Sequence, residues 1–361
     1  MRISAAASVL ALGLALSAPA SGTEVVRTVQ AELSGPDLAR FAIENLAGTM
    51  RISASSGDRV TVVATVHAET QALADAVRIE RVEASGGGPA LRVRYPYDKV
   101  STFRYREPSE SDDWGFGDWS SSSTYDYDGH RVRVARGRGT RLYADLEVRV
   151  PQSRLNAGFR NLVGLVEADG LQGELRFHVS SADLRLDRLD GQIALEGSSG
   201  DIRARDIRGT WKSDFSSGDC QINGFDGDAL TLRTTSGDVV LRSVKARRAE
   251  FESTSGDVRL VDTDLVELSA EATSGDIAFE SSGARLKDVR IRTSSGDVSL
   301  RLPTGAPFDV DADQSSGDMD VRFDGGSSIS HGDKIVGYRH GTGGAHIRVR
   351  TSSGDLTLSP G

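Results

Sequence analysis

Residues 233–260 read RTTSGDVVLRSVKARRAEFESTSGDVRL, and this stretch contains the unit from which most of the chain is built. It holds two Ser-Gly-Asp tripeptides. Each aspartate is followed by apolar residues at the first and third positions, as Asp238 is by Val239 and Leu241. Apolar residues at alternate positions are typical of a β-strand with one buried face. The stretch therefore predicts strands joined by a tight Ser-Gly-Asp corner.

The corner recurs through the second half of the chain. Counted from the variant Ser181-Ala182-Asp183, the corner aspartates are separated by 18, 18, 19, 19, 19, 21, 21 and 37 residues. The last interval indicates an insertion or a lost corner near Gly332-Asp333. A further copy stands apart near the amino terminus. The residues that we assign to these structural turns are Ser56, Gly57, Asp58, Gly200, Asp201, Gly218, Asp219, Gly237, Asp238, Gly256, Asp257, Gly275, Asp276, Gly296, Asp297, Gly317, Asp318, Gly354 and Asp355.

A repeat of this length, with two or three short strands, cannot bury its apolar face alone, whereas stacked copies bury it continuously. Short strands with regular turns are also typical of an antiparallel sandwich or barrel. A sandwich needs turns, but it does not need the same turn each time. We therefore predict an all-β fold, a parallel β-helix or β-solenoid with rungs of about 19 residues.

The corner residues have a structural explanation and a metal-binding explanation. Glycine accepts a positive φ, and serine and aspartate oxygens can bond backbone N–H groups in a bend. A column of aspartates could instead bind calcium. Arginines lie two or four residues after several of the aspartates and would neutralise the column without a metal: Arg185, Arg203, Arg242, Arg259, Arg301 and Arg322. We predict no cofactor, with calcium as the alternative.

Composition excludes several classes of protein. The net charge is -9, so the chain has no basic excess to hold phosphates, and we expect no nucleic-acid partner. Its single cysteine, Cys220, excludes an intramolecular disulfide and a multi-thiolate zinc site. Cys220 occupies a strand position that is apolar in the other repeats, so we expect a small buried hydrophobe.

The first 20 residues read MRISAAASVLALGLALSAPA, which is the layout of a secretory signal peptide cleaved after Ala20. Its apolar run, Ala5 to Leu16, is shorter than the roughly 20 residues that span a bilayer. No comparable run follows, so we expect no transmembrane segment in the mature chain. The sequence predicts an exported protein, either periplasmic or secreted to the cell surface.

We divide the chain into a signal peptide (1–20), an amino-terminal β-rich segment (21–94), an insertion (95–138) and solenoid repeats (139–361) that we expect to be continuous with 21–94. A short helix is predicted over residues 69–77. The insertion is rich in aromatic, acidic and serine residues. Exposed aromatics beside carboxylates can stack on sugar rings or hold a partner loop, and local packing is the alternative. The candidate recognition residues are Tyr105, Trp114, Phe116, Trp119, Tyr125 and Tyr127.

Three features together resemble a known family. They are the block from Gly48 to Val60, the strand ending in Val148-Arg149-Val150-Pro151, and the serial Ser-Gly-Asp repeats. The chain resembles a bacterial family of exported proteins of unknown function, labelled "putative adhesins", whose domain is a β-helix. This resemblance implies a β-helix fold, and it carries over no catalytic residue.

No nucleotide-binding loop, nucleophile elbow or zinc-protease helix occurs in the sequence. His331, His340 and His346 are spaced by nine and six residues, which matches no standard metal motif. We predict a non-enzymatic exported β-solenoid, an adhesin or binding module of the cell envelope, with a glycan or an envelope protein as its partner. The alternatives are a carbohydrate-active β-helix enzyme, either a polysaccharide lyase or a hydrolase, and an envelope-stress or scaffold protein that templates other chains.

Overall fold

The computed structural model describes residues 24–105 and 122–361. Within them the chain forms 25 strands, one short α-helix and one 3-10 turn, which confirms the all-β prediction. The described residues group into two compact units. The first unit consists of residues 24–105, 122–189 and 197–200, and the second of residues 190–196 and 201–361. No helix in these ranges is long and apolar enough to cross a membrane.

The first unit contains eleven strands and the helix α1 (Gln71–Ala76), within the predicted helical segment. Thr70 caps α1, because its hydroxyl accepts a hydrogen bond from the Leu73 N–H at 3.3 Å. The strands are β1 (Val25–Ser34), β2 (Phe41–Ser55), β3 (Arg59–Ala68), β4 (Arg78–Glu83), β5 (Pro89–Arg94), β6 (Thr102–Tyr105), β7 (Ser123–Tyr127), β8 (His130–Arg136), β9 (Thr140–Pro151), β10 (Leu155–Asp169) and β11 (Gln172–Asp187). The 3-10 turn is Gly35–Ala39.

Parallel pairing of β2, β10 and β11 builds the core of the first unit. Phe159 of β10 lies beside Phe177 of β11, and their stacked ring centroids are 5.5 Å apart. Along the same strands Asn45 of β2 faces Asn161 of β10, and Asn45 Nδ2 donates to Asn161 Oδ1 at 3.0 Å. Both asparagines are fully buried. A one-residue slip would separate these amides, so the pair fixes the register of the two strands.

The isolated copy of the corner, residues 56–58, lies between β2 and β3 in the first unit. Strand β9 runs parallel to β2 and antiparallel to β3, and β3 in turn pairs antiparallel with β1. The chain therefore reverses its direction at residues 56–58 and does not climb to a next rung.

The second unit contains the serial corners. Its strands are β12 (Asp190–Ser199, shared with the first unit), β13 (Ile202–Ser217), β14 (Cys220–Ser236), β15 (Val239–Ser255), β16 (Val258–Ser274), β17 (Ile277–Ser281), β18 (Asp288–Ser295), β19 (Val298–Leu302), β20 (Phe308–Ser316), β21 (Met319–Val321), β22 (Ser327–His331), β23 (Lys334–His340), β24 (Ala345–Ser353) and β25 (Leu356–Pro360).

Strands β13 to β16 stack in parallel, with one register shift between β13 and β14 at Gly209/Thr210. The residues that follow their corners, Ile202, Cys220, Val239 and Val258, lie side by side and are buried. This arrangement confirms the predicted β-solenoid. It also confirms Cys220 as a buried residue in an apolar column.

The stacking order departs from the chain order near the carboxyl-terminal end of the repeats. Val298 of β19 lies beside Leu356 of β25, and Leu356 lies beside Met319 of β21. Strands β24 and β25 therefore fill a rung between β18–β19 and β20–β21. The 37-residue interval between Asp318 and Asp355 contains an insertion, as predicted. The insertion is the hairpin β22–β23, which turns at Gly332-Asp333. Strand β23 runs antiparallel along β20 and covers that edge of the sheet.

The corner aspartates of the second unit are bonded from rung to rung. The Asp238 N–H donates to Asp219 Oδ1 at 2.9 Å, and the Asp257 N–H donates to Asp238 Oδ1 at 2.9 Å. The same bond joins each neighbouring pair in the order Asp201, Asp219, Asp238, Asp257, Asp276, Asp297, Asp355, Asp318, with N···O distances of 2.8 to 3.1 Å. These backbone donors compensate the carboxylate charges along the column.

The predicted role of the arginines is largely corrected by this column. Arg203 does contact Asp201, at 3.2 Å, but Arg301 pairs with Glu280 and Arg322 with Asp320. Arg301 and Arg322 lie on the strands that leave their corners, where Glu280 and Asp320 are 3.6 and 2.7 Å away. The column is therefore held mainly by backbone N–H groups.

Candidate ligand-binding cleft

A cleft runs across the strands of the second unit, on the segments that enter the corners. Side chains alternate between the two faces of a strand, so residues five and three positions before each corner aspartate face outward, and the residue between them faces the core. Parallel pairing in register places equivalent residues of successive rungs side by side. The result is two outward columns with a partly buried row of residues between them.

We name the residues five positions before each aspartate the charged column. In order along the stack they are Asp214, Arg233, Glu252, Glu271, Arg292, Arg350 and Asp313. Arg233 binds Glu252 through two contacts, Nε to Oε2 at 2.8 Å and Nη2 to Oε1 at 3.1 Å. The remaining ion pairs are Arg292–Glu271 at 3.4 Å and Arg350–Asp313 at 3.5 Å. Three arginines thus offset three of the four carboxylates.

Six of the residues that stand three positions before a corner aspartate line the cleft, and we name these six the hydroxyl column: Thr235, Thr254, Thr273, Ser294, Ser352 and Ser315. All six side chains are exposed. Across the two described ranges, none of their hydroxyls has a hydrogen-bond partner in the protein. Neighbouring rungs are about 4.8 Å apart, so the column presents donors and acceptors at a regular spacing.

The row between the columns forms the floor of the cleft. Here Thr234, Ser253 and Thr293 each donate to the backbone carbonyl two residues ahead, at 3.0, 3.2 and 3.2 Å. Thr351 occupies the same position in β24, the rung that stacks out of chain order. It is 4% exposed, and its Oγ1 has no hydrogen-bond partner. A buried hydroxyl without a partner is uncommon in proteins.

The cleft has a volume of about 620 Å³, within the usual range of ligand-binding cavities. It spans seven rungs, or roughly 29 Å at the ordinary strand spacing. Its single aromatic residue, Phe215, lies at one end and is 5% exposed. The cleft is therefore long, polar and close to neutral.

The sequence prediction did not identify this cleft. Its signal is nevertheless in the sequence, because a Ser or Thr stands three positions before every corner aspartate from Asp219 to Asp355, and a charged residue stands five positions before. The apolar alternation that predicts the strands draws attention to the inward positions only. Comparison of the outward positions from repeat to repeat would have revealed both columns.

The predicted recognition residues lie in the first unit or outside the described residues. Tyr127 is fully buried, and its hydroxyl donates to the Val93 carbonyl oxygen at 2.8 Å. Tyr125 is 8% exposed and donates to Ser181 Oγ at 2.9 Å. The two tyrosines flank Asp126 in β7, so both face the core, in agreement with the local-packing alternative and not with exposed recognition residues.

Tyr105 is half-buried and packs its ring edge-on against Tyr143, with centroids 5.2 Å apart. Burial raises the pKa of the Tyr105 hydroxyl to about 12. Trp114, Phe116 and Trp119 lie outside the described residues. A recognition role for this insertion stays a prediction.

The histidines singled out in the sequence do not meet. His331 lies on β22 and His346 on β24, while His340 stacks on Phe308 with centroids 5.3 Å apart. Within residues 24–105 and 122–361, no group of three or more His, Cys, Asp or Glu side chains is arranged to hold a metal ion.

The stacked rungs and the cleft define a β-solenoid protein with a polar groove laid across its strands. The chain belongs to the Toastrack DUF4097 family, whose model matches residues 143–359. This match agrees with the β-solenoid fold.

Solved structures similar to the chain include two described as a "putative adhesin" and one as a "putative lipid binding protein". The first, from Parabacteroides distasonis ATCC 8503, is 11% identical with a TM-score of 0.43, over 92% of this chain and 97% of that one. The second, from Parabacteroides merdae ATCC 43184, is 10% identical with a TM-score of 0.42, over 92% and 95%. The third, from P. distasonis ATCC 8503, is 11% identical with a TM-score of 0.37, over 92% and 96%. No curated protein matches the chain.

Proposed function

We propose that the protein is exported and acts in the cell envelope as a non-enzymatic binding module whose ligand lies in the cleft of the second unit. The observation that carries this proposal is the hydroxyl column. Six exposed hydroxyls in register have no partner in the described chain, so they are free to bind a ligand. Other groups stabilise the stack of rungs, namely the corner aspartates and the buried apolar columns.

Export is supported by the signal-peptide pattern of residues 1–20, which lie outside the described residues. Mass spectrometry of the chain recovered from the periplasm or medium of an expressing bacterium tests this part. We expect a mature protein that begins at Ser21. Recovery of the uncleaved chain from the cytoplasm alone would contradict it.

The cleft also contains the strongest observation in favour of an enzyme. Glu252 and Glu271 are direct neighbours on adjacent rungs, and glycosidases use paired carboxylates. One member of such a pair must carry a raised pKa to donate a proton. Here the hydrogen bond from Arg233 lowers the pKa of Glu252, and Glu271 is paired with Arg292. This arrangement favours binding over hydrolysis.

The test is co-sedimentation of the purified mature chain with washed, insoluble envelope material from bacteria. The cleft variant is Thr235→Val/Thr254→Val/Thr273→Val. The control variant is Ser299→Val/Thr357→Val, which changes two neighbouring side chains on the strands that leave the corners. We expect the wild type and the control to sediment and the cleft variant to lose most of its binding. Equal sedimentation of all three proteins would overturn the assignment to the cleft, and release of sugar products would replace the binding module with an enzyme.

A scaffold role is the second candidate, and strand β22 is the observation that favours it. In the described chain β22 pairs with β23 only, and its five residues are exposed, including Ile329 at 43%. An exposed edge without Lys, Arg, Asp or Glu can pair with another chain. Light scattering that shows a monomer at high concentration would remove this candidate.

A further inference from the structure

The charged and hydroxyl columns run perpendicular to the strands, so a ligand that uses them must be extended and must repeat along its length. Six hydroxyls over six rungs offer equivalent contacts every 4.8 Å or so. A compact small molecule would reach only two or three of them. The geometry points to a polymer.

The charges of the cleft select against a strongly charged polymer. Each arginine of the charged column already contacts a carboxylate, and Asp214 leaves the column with one excess negative charge. A polyanion would have to break these ion pairs to reach the arginines. A polycation would meet one carboxylate in seven rungs, Asp214, that no arginine of the charged column offsets. Exposed hydroxyls, in contrast, both donate and accept hydrogen bonds.

A peptide does not fit the same surface. Peptides that recognise a sheet add to an exposed strand edge through main-chain hydrogen bonds. The cleft is the face of the sheet, and its central strands, such as β15 between β14 and β16, are already paired on both sides. We infer, resting on the proposed function, that the ligand is a neutral unbranched glycan that lies across the rungs and bonds the hydroxyl column.

Thr351 supplies an independent observation for a ligand. Thr351 lines the cleft, and its hydroxyl is buried and lacks a partner, whereas the equivalent hydroxyl of Thr293 on the adjacent rung donates to the Ser295 carbonyl. A glycan hydroxyl bound in the cleft would satisfy Thr351 once rotation about its Cα–Cβ bond turns the unbonded hydroxyl toward the cleft, whereas the Thr293 hydroxyl would have to give up its bond to do the same. We therefore assign the Thr351 rung as one subsite of the cleft.

The test is calorimetric titration of the purified mature chain with defined oligosaccharides. The neutral probes are linear β-1,4-linked N-acetylglucosamine, β-1,4-linked glucose and α-1,4-linked glucose, each as dimer, tetramer and hexamer. The charged probes are galacturonate and glucosamine hexamers. We expect at least one neutral series to bind, with affinity rising at least tenfold from dimer to hexamer, because each added sugar reaches another rung.

The Thr235→Val/Thr254→Val/Thr273→Val variant should bind the hexamer at least tenfold more weakly, and the Ser299→Val/Thr357→Val control should stay within twofold of wild type. Binding of a charged hexamer alone, equal affinity for dimer and hexamer, or no binding of any neutral series would overturn the inference. The sedimentation experiment decides the proposed function separately, because whole envelope material also contains proteins and charged polymers.

Two single variants test the Thr351 subsite. Thr351→Val removes an unpartnered hydroxyl, so it should raise the melting temperature of the free protein and weaken binding of the hexamer. Thr293→Val removes a hydroxyl that is already bonded, so it should lower the melting temperature. If Thr351→Val lowers the melting temperature as Thr293→Val does, or leaves the affinity unchanged, the subsite assignment is wrong.

Discussion

The tripeptide Ser-Gly-Asp forms two different structures in this molecule. At residues 56–58 it is an open turn at which the chain reverses, Asp58 has a 95% exposed side chain, and a Cβ added at Gly57 would meet only Ser55 Oγ at 3.7 Å. At residues 236–238 it is a stacked corner. There Gly237 has a φ of 113°, and a Cβ would lie 2.2 Å from the Gly218 carbonyl oxygen. The neighbouring rung, and not the tripeptide, therefore imposes the corner geometry.

The largest expected effect is that of a side chain at a stacked glycine. Gly256 has a φ of 114°, and a Cβ there would lie 2.3 Å from the Gly237 carbonyl oxygen. Gly256→Ala must therefore displace backbone or lose the corner, and we expect a destabilisation on the order of 3 kcal/mol. Gly57→Ala, the matched control, should change the unfolding free energy by less than about 0.5 kcal/mol. Urea denaturation of both variants measures the difference, and similar losses would contradict the comparison.

The aspartate of the corner should show a smaller contrast. Asp257 Oδ1 accepts from the Asp276 N–H at 2.8 Å, whereas within the described residues the one ion pair of Asp58 is a 3.7 Å contact with Arg59. We expect Asp257→Ala to cost about 1 kcal/mol and Asp58→Ala almost nothing, because only the first removes a hydrogen bond between rungs. Asp257→Asn keeps an acceptor at Oδ1 and should recover part of the loss. If the asparagine variant is no better than the alanine variant, the bond between rungs is not the cause.

The corners and their strands could be predicted because the relevant pattern is local. The apolar residues after Asp238 and Asp257 alternate as a one-sided strand requires, and the recurring glycine signals a bend. The order of the last rungs could not be predicted in this way. The segments that follow Asp297, Asp318 and Asp355 have the same apolar alternation. This alternation does not indicate that Leu356 lies between Val298 and Met319 in the stack.

The candidate site was missed for a related reason. Thr254 and Glu252 face outward, so they contribute nothing to the apolar periodicity from which the strands are recognised. In the aromatic insertion, residues that face the core were instead proposed as a site, because the composition suggested exposure. Tyr125-Asp126-Tyr127 in fact follows the alternation of a strand with a buried face. Position along the pleat, and not composition, decides which side chain reaches a ligand.

Beyond the open turn, the first unit carries a pH-sensitive contact. His67 on β3 lies between Glu24 Oε1, 3.0 Å from Nδ1, and Asp145 Oδ2, 3.3 Å from Nε2. Burial favours the neutral ring, but Asp145 and Glu24 outweigh it and raise the pKa of His67 above 6.5. The resulting stabilisation is fully present below pH 6.5 and is lost as the pH rises through the folded-state pKa.

An NMR titration of the His67 ring measures this pKa directly. We expect it to lie above 6.5 in the wild type and to fall in Asp145→Asn, which removes a charge and keeps the side-chain shape. An unshifted pKa in the wild type would contradict the contact.

Cys220 stands where Val239 stands on the next rung. Burial raises the pKa of its thiol to about 12, so a thiol reagent should react with it only after unfolding. Cys220→Val should change the unfolding free energy by less than about 1.5 kcal/mol, because the position is an apolar one of similar size. Rapid labelling of the native protein would show that the Cys220 thiol is accessible and that the buried apolar column is open at this rung.

Stacking holds the corners by their aspartates and leaves the hydroxyl column free for a ligand. The most direct measurement is a threonine-methyl NMR titration of the mature chain with the neutral hexasaccharide that binds most tightly. We expect shifts at Thr235, Thr254, Thr273 and Thr351, with Thr357 and Thr263 unchanged. Shifts at Thr357 that leave the cleft threonines unmoved would contradict it.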